Sequence, residues 1–207
     1  MRKGTGEVVE VFDGRSGGWD AEVVEAGKKK GALRVMAQVR PQRDPPDLWL
    51  LFAPIKRART DFIVEKAAEM GAARICPVQT DFTNSERIRR DRLQAHAVEA
   101  AEQCGGTFVP EVAEIEKLVA LLDHWPEDRR LMFCDEGLAG AGATLPRDAG
   151  PWAVLIGPEG GFSEGERSRL AALPQAHAVS LGPRILRADT AAVAALTLWQ
   201  TTLGDWA

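Results

Sequence analysis

The chain has 207 residues, 45% hydrophobic and 27% charged, with a formal net charge of −4; these are ordinary values for a folded domain with room for a small appendage. No apolar run reaches the ~18 residues that span a bilayer, and the start Met1-Arg2-Lys3-Gly4-Thr5-Gly6-Glu7 lacks the apolar stretch of a signal peptide. Cys76, Cys104 and Cys134 stand far apart, without a C-x-x-C pair or a histidine at ligand spacing, so neither a metal site nor a disulfide framework is expected and a cytoplasmic location is.

In chain order, short strands are predicted over 7–12 and 19–24, joined by the turn-rich Asp13-Gly14-Arg15-Ser16-Gly17-Gly18, and a third over 33–39. This piece is too small to hold much of a core alone. The segment Arg43-Asp44-Pro45-Pro46-Asp47 breaks the pattern, dividing the chain into a β-rich unit over 1–44 and a larger domain over 45–207. Leu48-Trp49-Leu50-Leu51-Phe52-Ala53 is continuously apolar, as a strand buried on both faces must be. A helix follows over 60–70, ended by Gly71, then a strand over 74–78 and a longer helix over 87–104, whose apolar stripe is Leu93, Ala97, Ala100, Ala101 and Cys104. Strands over 131–134, 154–156 and 178–181 and helices over 163–173 and 189–203 complete an alternation that predicts an α/β fold with a mostly parallel sheet and flanking helices.

Charge is unevenly placed along the chain. Residues 1–110 carry 18 Lys and Arg against 16 Asp and Glu, and residues 111–207 carry 8 against 14. Lys28, Lys29, Lys30, Arg34, Arg40 and Arg43 occur without an intervening acid, followed by Lys56, Arg57 and Arg59 and then Arg87, Arg89, Arg90 and Arg92. A local basic face is what phosphates respond to; solvated loops and helix faces are the competing reading.

Ligands of open α/β sheets sit beyond the carboxyl ends of strands, and two predicted strand ends carry unusual loops. One is Ile156-Gly157-Pro158-Glu159-Gly160-Gly161-Phe162, running into Ser163 and Glu166 at capping-box spacing. The other is Leu181-Gly182-Pro183-Arg184-Ile185-Leu186-Arg187-Ala188-Asp189-Thr190. Missing Cβ atoms let a backbone approach a ligand closely. Neither loop has the spacing of a triphosphate or dinucleotide site, so composition leaves a ligand pocket and a pair of plain turns both open. His96, Glu99 and Gln103 share one helix face, which a solvated surface would also explain, while His124 and His177 read as structural or exposed.

Ile156-Gly-Pro-Glu-Gly-Gly-Phe-Ser-x-x-Glu166 and Leu181-Gly-Pro-Arg-Ile-Leu-Arg-x-Asp-Thr-Ala191 resemble the paired signature motifs of the RsmE family, the 16S rRNA uridine-N3 methyltransferases of the SPOUT superfamily. Lys56-x-x-Arg59, Glu65-Lys66-Ala67-Ala68-Glu69-Met70-Gly71 and Glu99-Ala100-Ala101-Glu102-Gln103 resemble further family segments in the same order. The resemblance implies a SPOUT-type sheet with a carboxyl-terminal trefoil knot, preceded by a PUA-like RNA-binding domain. It also implies a homodimer, S-adenosylmethionine as cofactor and 16S rRNA of the small ribosomal subunit as substrate, methylated at uracil N3. Under it, Leu155, Gly157, Gly160, Leu181, Gly182, Ile185 and Leu186 line the cofactor pocket. Arg187, Glu99 and Gln103 are the candidate catalytic residues, and Arg184, Lys56 and Arg59 the candidate substrate contacts. Three departures stand out: Gly106 or Thr107 replaces an expected Arg, Asp189 replaces an expected Glu, and Met1-Arg2-Lys3-Gly4 matches a point well inside the front domain, so that domain is expected to be incomplete and Met1 internal to a longer reading frame. A non-catalytic RNA- or ribosome-binding relative and a sister enzyme acting at another RNA position are the alternatives.

Overall fold

The computed structural model describes residues 3–84, 88–135, 137, 145–147 and 150–207. The predicted start of a helix at Arg87, like Met1 and Arg2, lies outside those residues. Two compact units emerge. The first comprises residues 1–44 together with 101–109, and the second residues 45–100 and 110–207.

In the first unit, β1 (Val8–Phe12), β2 (Gly18–Ala26) and β3 (Gly31–Arg40) form an antiparallel sheet in that order. Ala21 and Val23 of β2 are buried, whereas Leu33, Val35, Met36 and Val39 of β3 are exposed. The turn between β2 and β3 is closed by Gly27 N donating to Lys30 O at 2.8 Å, and it presents Lys28, Lys29 and Lys30 to solvent. Segment 101–109 is tied to the strand ends: Arg40 donates to the Gly105 carbonyl and Arg43 N donates to Thr107 Oγ1 at 3.1 Å. Thr107, at a position where the family resemblance leads one to expect Arg, is therefore a buried structural residue.

The second unit is α/β, with the predicted alternation. Its strands are β4 (Leu48–Phe52), β5 (Arg74–Gln79), β6 (Glu111–Val112), β7 (Glu116–Lys117), β8 (Arg130–Cys134), β9 (Trp152–Ile156) and β10 (Ala176–Val179), and its helices are α1 (Arg57–Glu69), α2 (Arg90–Cys104), α3 (Leu118–Asp123), α4 (Glu164–Ala172) and α5 (Ala188–Leu203). The last turn of α2 groups with the first unit. The sheet order is β10-β8-β9-β4-β5-β6, with β7 also on β5, and every pairing among the described residues is parallel. Neighbouring residues Leu50 and Leu51, or Val154 and Leu155, are all fully buried, because both sheet faces are covered and side chains alternate between them. Leu118 and Leu122 of α3 and Leu170 of α4 join Leu51, Phe133 and Leu155 in one apolar cluster. Helices α1 and α5 pack on each other, and α5 on β9. Buried Gln200 of α5 seals the pair by donating to the Met70 carbonyl at the end of α1, 2.7 Å away.

Some predicted boundaries shift. Helix α1 begins at Arg57, three residues before the expected start, although Lys56 at its N-cap contributes no side-chain hydrogen bond. Strand β10 ends at Val179, because Ser180 Oγ bonds the backbone of Gly182 and turns the chain out of the ladder. The elements β6, β7 and α3 were not anticipated. Among the described residues no helix is long and apolar enough to cross a membrane.

Candidate functional site

Register decides where the site lies. Val179 pairs with Cys134, Cys134 with Ile156, and Ile156 with Phe52, so β10, β8, β9 and β4 stop level with one another. Beyond the first three ends opens a cleft of about 650 Å3, counting its mouth. The end of β8 contributes Cys134 and Asp135, and the first glycine loop Gly157, Pro158, Glu159, Gly161 and Phe162. The second loop contributes Leu181, Gly182, Arg184, Ile185 and Leu186, and α5 adds Ala188 and Ala191.

Each loop is shaped by its own residues. Gly161 N donates to Pro158 O at 2.9 Å to close a turn, and Gly161 has φ +68°, a conformation that L-residues with a Cβ avoid. A Cβ on Gly157 would stand 3.1 Å from the Phe162 ring; its absence lets that ring, 4% exposed, fold under the loop and into the cleft wall. The loop then enters α4 through a complete capping box. Ser163 Oγ accepts from Glu166 N at 3.3 Å, and Glu166 Oε2 accepts from Ser163 N at 2.9 Å. The other carboxylate oxygen of Glu166, which is 2% exposed, accepts from Asp81 N at 2.9 Å, and Ser163 Oγ donates to Asp81 Oδ2 at 2.5 Å. One buried carboxylate thus fastens the glycine loop to the segment after β5. In the second loop Gly182 has φ +109°, and nothing lies within 4 Å of where its Cβ would be, so a side chain there would be both strained and directed into open space.

The cleft mixes apolar side chains with polar groups, and charge stands at few points. Asp135 Oδ1 accepts from Gly137 N at 2.9 Å and pairs with Arg167 at 3.4 Å. Arg184 and Glu159 are exposed at the lining. Burial pushes the Cys134 thiol up to about 12, so it stays protonated at neutral pH.

The expected pocket residues are only partly brought together. Gly157, Leu181, Gly182, Ile185 and Leu186 line the cleft, as does Arg184. Leu155 is buried inside β9 and belongs to the core cluster. Gly160 is not in the lining; the bare side of its Cα faces Phe82, whose Cβ would be 3.3 Å from an added methyl. Arg187 is the exposed N-cap residue of α5. Lys56 is exposed at the start of α1, whereas Arg59 is engaged by Asp189 at 2.5 Å, bracing α1 against α5. Lys56, Arg57, Arg184 and Arg187 form no ion pair with any described residue. Glu99 and Gln103 are exposed on α2 and are not among the lining residues. Their helix neighbour His96 sits 3.1 Å from Glu65 and 3.7 Å from Asp61, which also takes Arg92 at 2.7 Å; it belongs to an α1–α2 ion cluster. His177 packs its ring on Trp152 and His124 ends α3. No cluster of metal-binding side chains occurs among the described residues. Asp135, Cys134 and Phe162 are site residues that motif reading passed over. For the first two the signal was available, since the strand over 131–134 was predicted and its carboxyl end faces the same side as the glycine loops.

Comparison with known proteins agrees with this geometry. A family model described as RNA methyltransferase domain matches residues 42–200. Ribosomal RNA small subunit methyltransferase E of Rickettsia conorii is 27% identical over 203 residues, 95% of this chain and 81% of that protein; the protein of the same name from Bacillus subtilis is 27% identical over 200 residues. The crystal structure of ribosomal RNA small subunit methyltransferase E from Neisseria gonorrhoeae bound to S-adenosyl methionine superposes with a TM-score of 0.89 at 28% identity, covering 100% of this chain and 87% of that one. A putative methyltransferase from Legionella pneumophila, solved with bound cofactor, gives 0.88 at 27% identity over 99% of this chain and 86% of that one. With its two glycine loops meeting in one cleft and the match running over both sheet halves, the chain belongs to the RNA methyltransferase domain family, among its RsmE members.

Proposed function

We propose that the protein uses S-adenosylmethionine to methylate small-subunit ribosomal RNA, at N3 of a uracil in 16S rRNA. The observation that carries this reading is the convergence of both glycine loops on one cleft at the carboxyl ends of β10, β8 and β9. The cleft fits such a cofactor. Ile156, Phe162 and Leu186 offer apolar walls for a purine, and Gly157, Gly161 and Gly182 leave backbone groups reachable.

Bound there, the cofactor would supply a methyl group on a positively charged sulfur. The protein's own part is to hold donor and acceptor in line, which is where most of the rate of a displacement comes from. Uracil N3 must also lose a proton; Arg184 in the cleft lining and Arg187 at the N-cap of α5, neither in an ion pair among the described residues, are the cations assigned to the resulting anion or a neighbouring phosphate. Lys56 and Arg57 at the start of α1, and Lys28, Lys29 and Lys30 on the front unit, are exposed cations suited to RNA phosphates. Arg59 serves by bracing α1 on α5. Since Glu99 and Gln103 do not line their own chain's cleft, a catalytic part for them requires a second copy or the RNA to bring them there. A homodimer, a trefoil knot in the carboxyl-terminal segment, a PUA-like RNA-binding role for residues 1–44 and a cytoplasmic location belong to the same proposal.

Calorimetric titration with S-adenosylmethionine, paired with nucleoside mass spectrometry of rRNA from a strain lacking the gene, tests it. Cofactor binding and loss of 3-methyluridine alone are expected. No heat at millimolar cofactor overturns the proposal. Binding without turnover on small subunits makes the protein a non-catalytic ribosome-binding relative, and a different missing nucleoside makes it a sister enzyme.

A further inference from the structure

The carboxyl edge of the sheet continues past the cofactor cleft. In the order β9, β4, β5, the strand ends deliver the first glycine loop, then Lys56 and Arg57, then the segment 80–84 with Phe82. Phe82 is 46% exposed, which is unusual for a phenylalanine in a tightly held segment. Its backbone is fixed on both sides: Thr80 N donates to Thr83 Oγ1 at 2.8 Å, the two threonine hydroxyls bond at 2.9 Å, and Asp81 is bound by Glu166 and Ser163. The side chain rests against Gly160, while Glu159 and Gly161 on either side of that glycine line the cleft. The result is a fixed aromatic surface beside the cofactor site, on the strand end next to the one that carries Lys56 and Arg57, which form no ion pair among the described residues. Simple core packing does not account for this, because nearly half the residue is left in water while its neighbours Thr80, Asp81 and Thr83 are held by four hydrogen bonds.

We propose that Phe82 is a stacking platform for an unpaired base flanking the nucleotide that is methylated. Sequence-reading RNA sites splay bases out of single strands and stack them on aromatic rings, and each such stack changes affinity by roughly 5- to 150-fold when the ring is removed. The inference rests on the reading of the cleft as the methyl-donor site of an RNA methyltransferase. Phe82 acts on RNA position and not on the chemistry itself, so its contribution appears in KM for RNA.

The test uses the full chain, small ribosomal subunits from a strain lacking the gene, and the variants Phe82→Leu and Phe82→Tyr. Thermal denaturation and cofactor titration are run beside methylation kinetics and equilibrium subunit binding. Phe82→Leu should raise KM and the subunit Kd about 5- to 150-fold, with kcat within about twofold and cofactor affinity unchanged, and Phe82→Tyr should restore both within about threefold. An unaltered KM and Kd in Phe82→Leu overturns the proposal, as does a tyrosine no better than leucine. A fall in cofactor affinity in Phe82→Leu also overturns it, since Phe82 would then act through the glycine loop. Failure of the parent reading is separate: wild-type protein that binds subunits but neither binds cofactor nor methylates those subunits refutes the enzyme assignment, while the binding comparison still judges Phe82.

Discussion

Replacing Glu166 with Ala removes a buried group that, together with Ser163, holds the glycine loop, the start of α4 and the segment after β5 to one another. Both carboxylate oxygens accept backbone N–H groups at 2.9 Å, from Asp81 and from Ser163, and the side chain is 2% exposed. A hydrogen bond to a charged group contributes about 1.5–3 kcal/mol; because Asp81 is exposed and Ser163 half-buried, water can partly replace the lost acceptor, and the total falls to about 2–4 kcal/mol. For a chain of this length each kcal/mol shifts the melting temperature by roughly 2–4 °C, so Glu166→Ala should melt about 5–15 °C below the parent. Glu166→Gln retains one acceptor oxygen and presents an amide donor to the second N–H, so it should lose at least half as much. Glu164, exposed in the same first turn, is the control: Glu164→Ala forfeits only an interaction with the helix dipole of about 0.3–1 kcal/mol. Differential scanning calorimetry gives the stability change, and cofactor titration should show affinity falling with it, since Gly157, Gly161 and Phe162 belong to the released loop. A Glu166→Ala melting temperature within 2 °C of Glu164→Ala, or full cofactor affinity in a clearly destabilised variant, refutes the claim that this carboxylate shapes the site.

Other outcomes follow from the same geometry. Gly182→Ala places a methyl in open space at φ +109°, so it should cost about 1–3 kcal/mol of backbone strain and at least tenfold in cofactor affinity, seen by calorimetry and titration. Gly157→Ala brings a Cβ to 3.1 Å from the Phe162 ring and should destabilise by about 1–3 kcal/mol through overpacking, whereas Gly157→Ala combined with Phe162→Leu should recover part of that loss. In a double-mutant cycle, Arg59→Ala and Asp189→Ala should couple by about 0.5–1 kcal/mol, since the pair is partly shielded from water. Burial pushes the thiols of Cys76 and Cys134 up to about 11 and about 12, from a model-compound value of 9.0. Above pH 9 the unfolded chain therefore releases protons that the folded chain keeps, and stability should fall as pH rises from 9 toward 11–12. Urea titrations at pH 8 and 10 check this, and Cys76→Ala with Cys134→Ala should flatten the decline.

The large elements could be read from the chain because their residues leave little choice. Leu48–Phe52 and Trp152–Ile156 are unbroken apolar runs that only a doubly covered strand accommodates, and Ser163 with Glu166 announces the start of α4. Strands β6 and β7 are two-residue pairings whose Glu111, Glu116 and Lys117 carry no β signal, and α3 spans six residues with no side-chain cap; tertiary contact alone forms them. The site was legible where glycine marked it. Phe162 was not, because its place in the cleft wall depends on how its ring folds back under Gly157; Asp135 stood at the end of a predicted strand, but no glycine marked that end. Arg59 shows what spacing cannot carry: the family resemblance makes it a candidate substrate contact beside Lys56, while an acid 130 residues away engages its guanidinium.

The composition of the front unit bears on how such a protein can be cut and shuffled. It is not the first 44 residues alone: segment 101–109, from the other side of α1 and β5, is counted with it and held by Arg40 and Arg43. A gene fusion or deletion with a single breakpoint near Pro45 would therefore leave behind a stretch whose hydrogen-bonding partners had gone, including the buried Thr107. Recombination that exchanges the front unit cleanly needs two breakpoints or a compensating change in 101–109. Inheritance of the front unit and the methyltransferase sheet as one block is the expected outcome, and recoding 101–109 is the first step for anyone wishing to separate them.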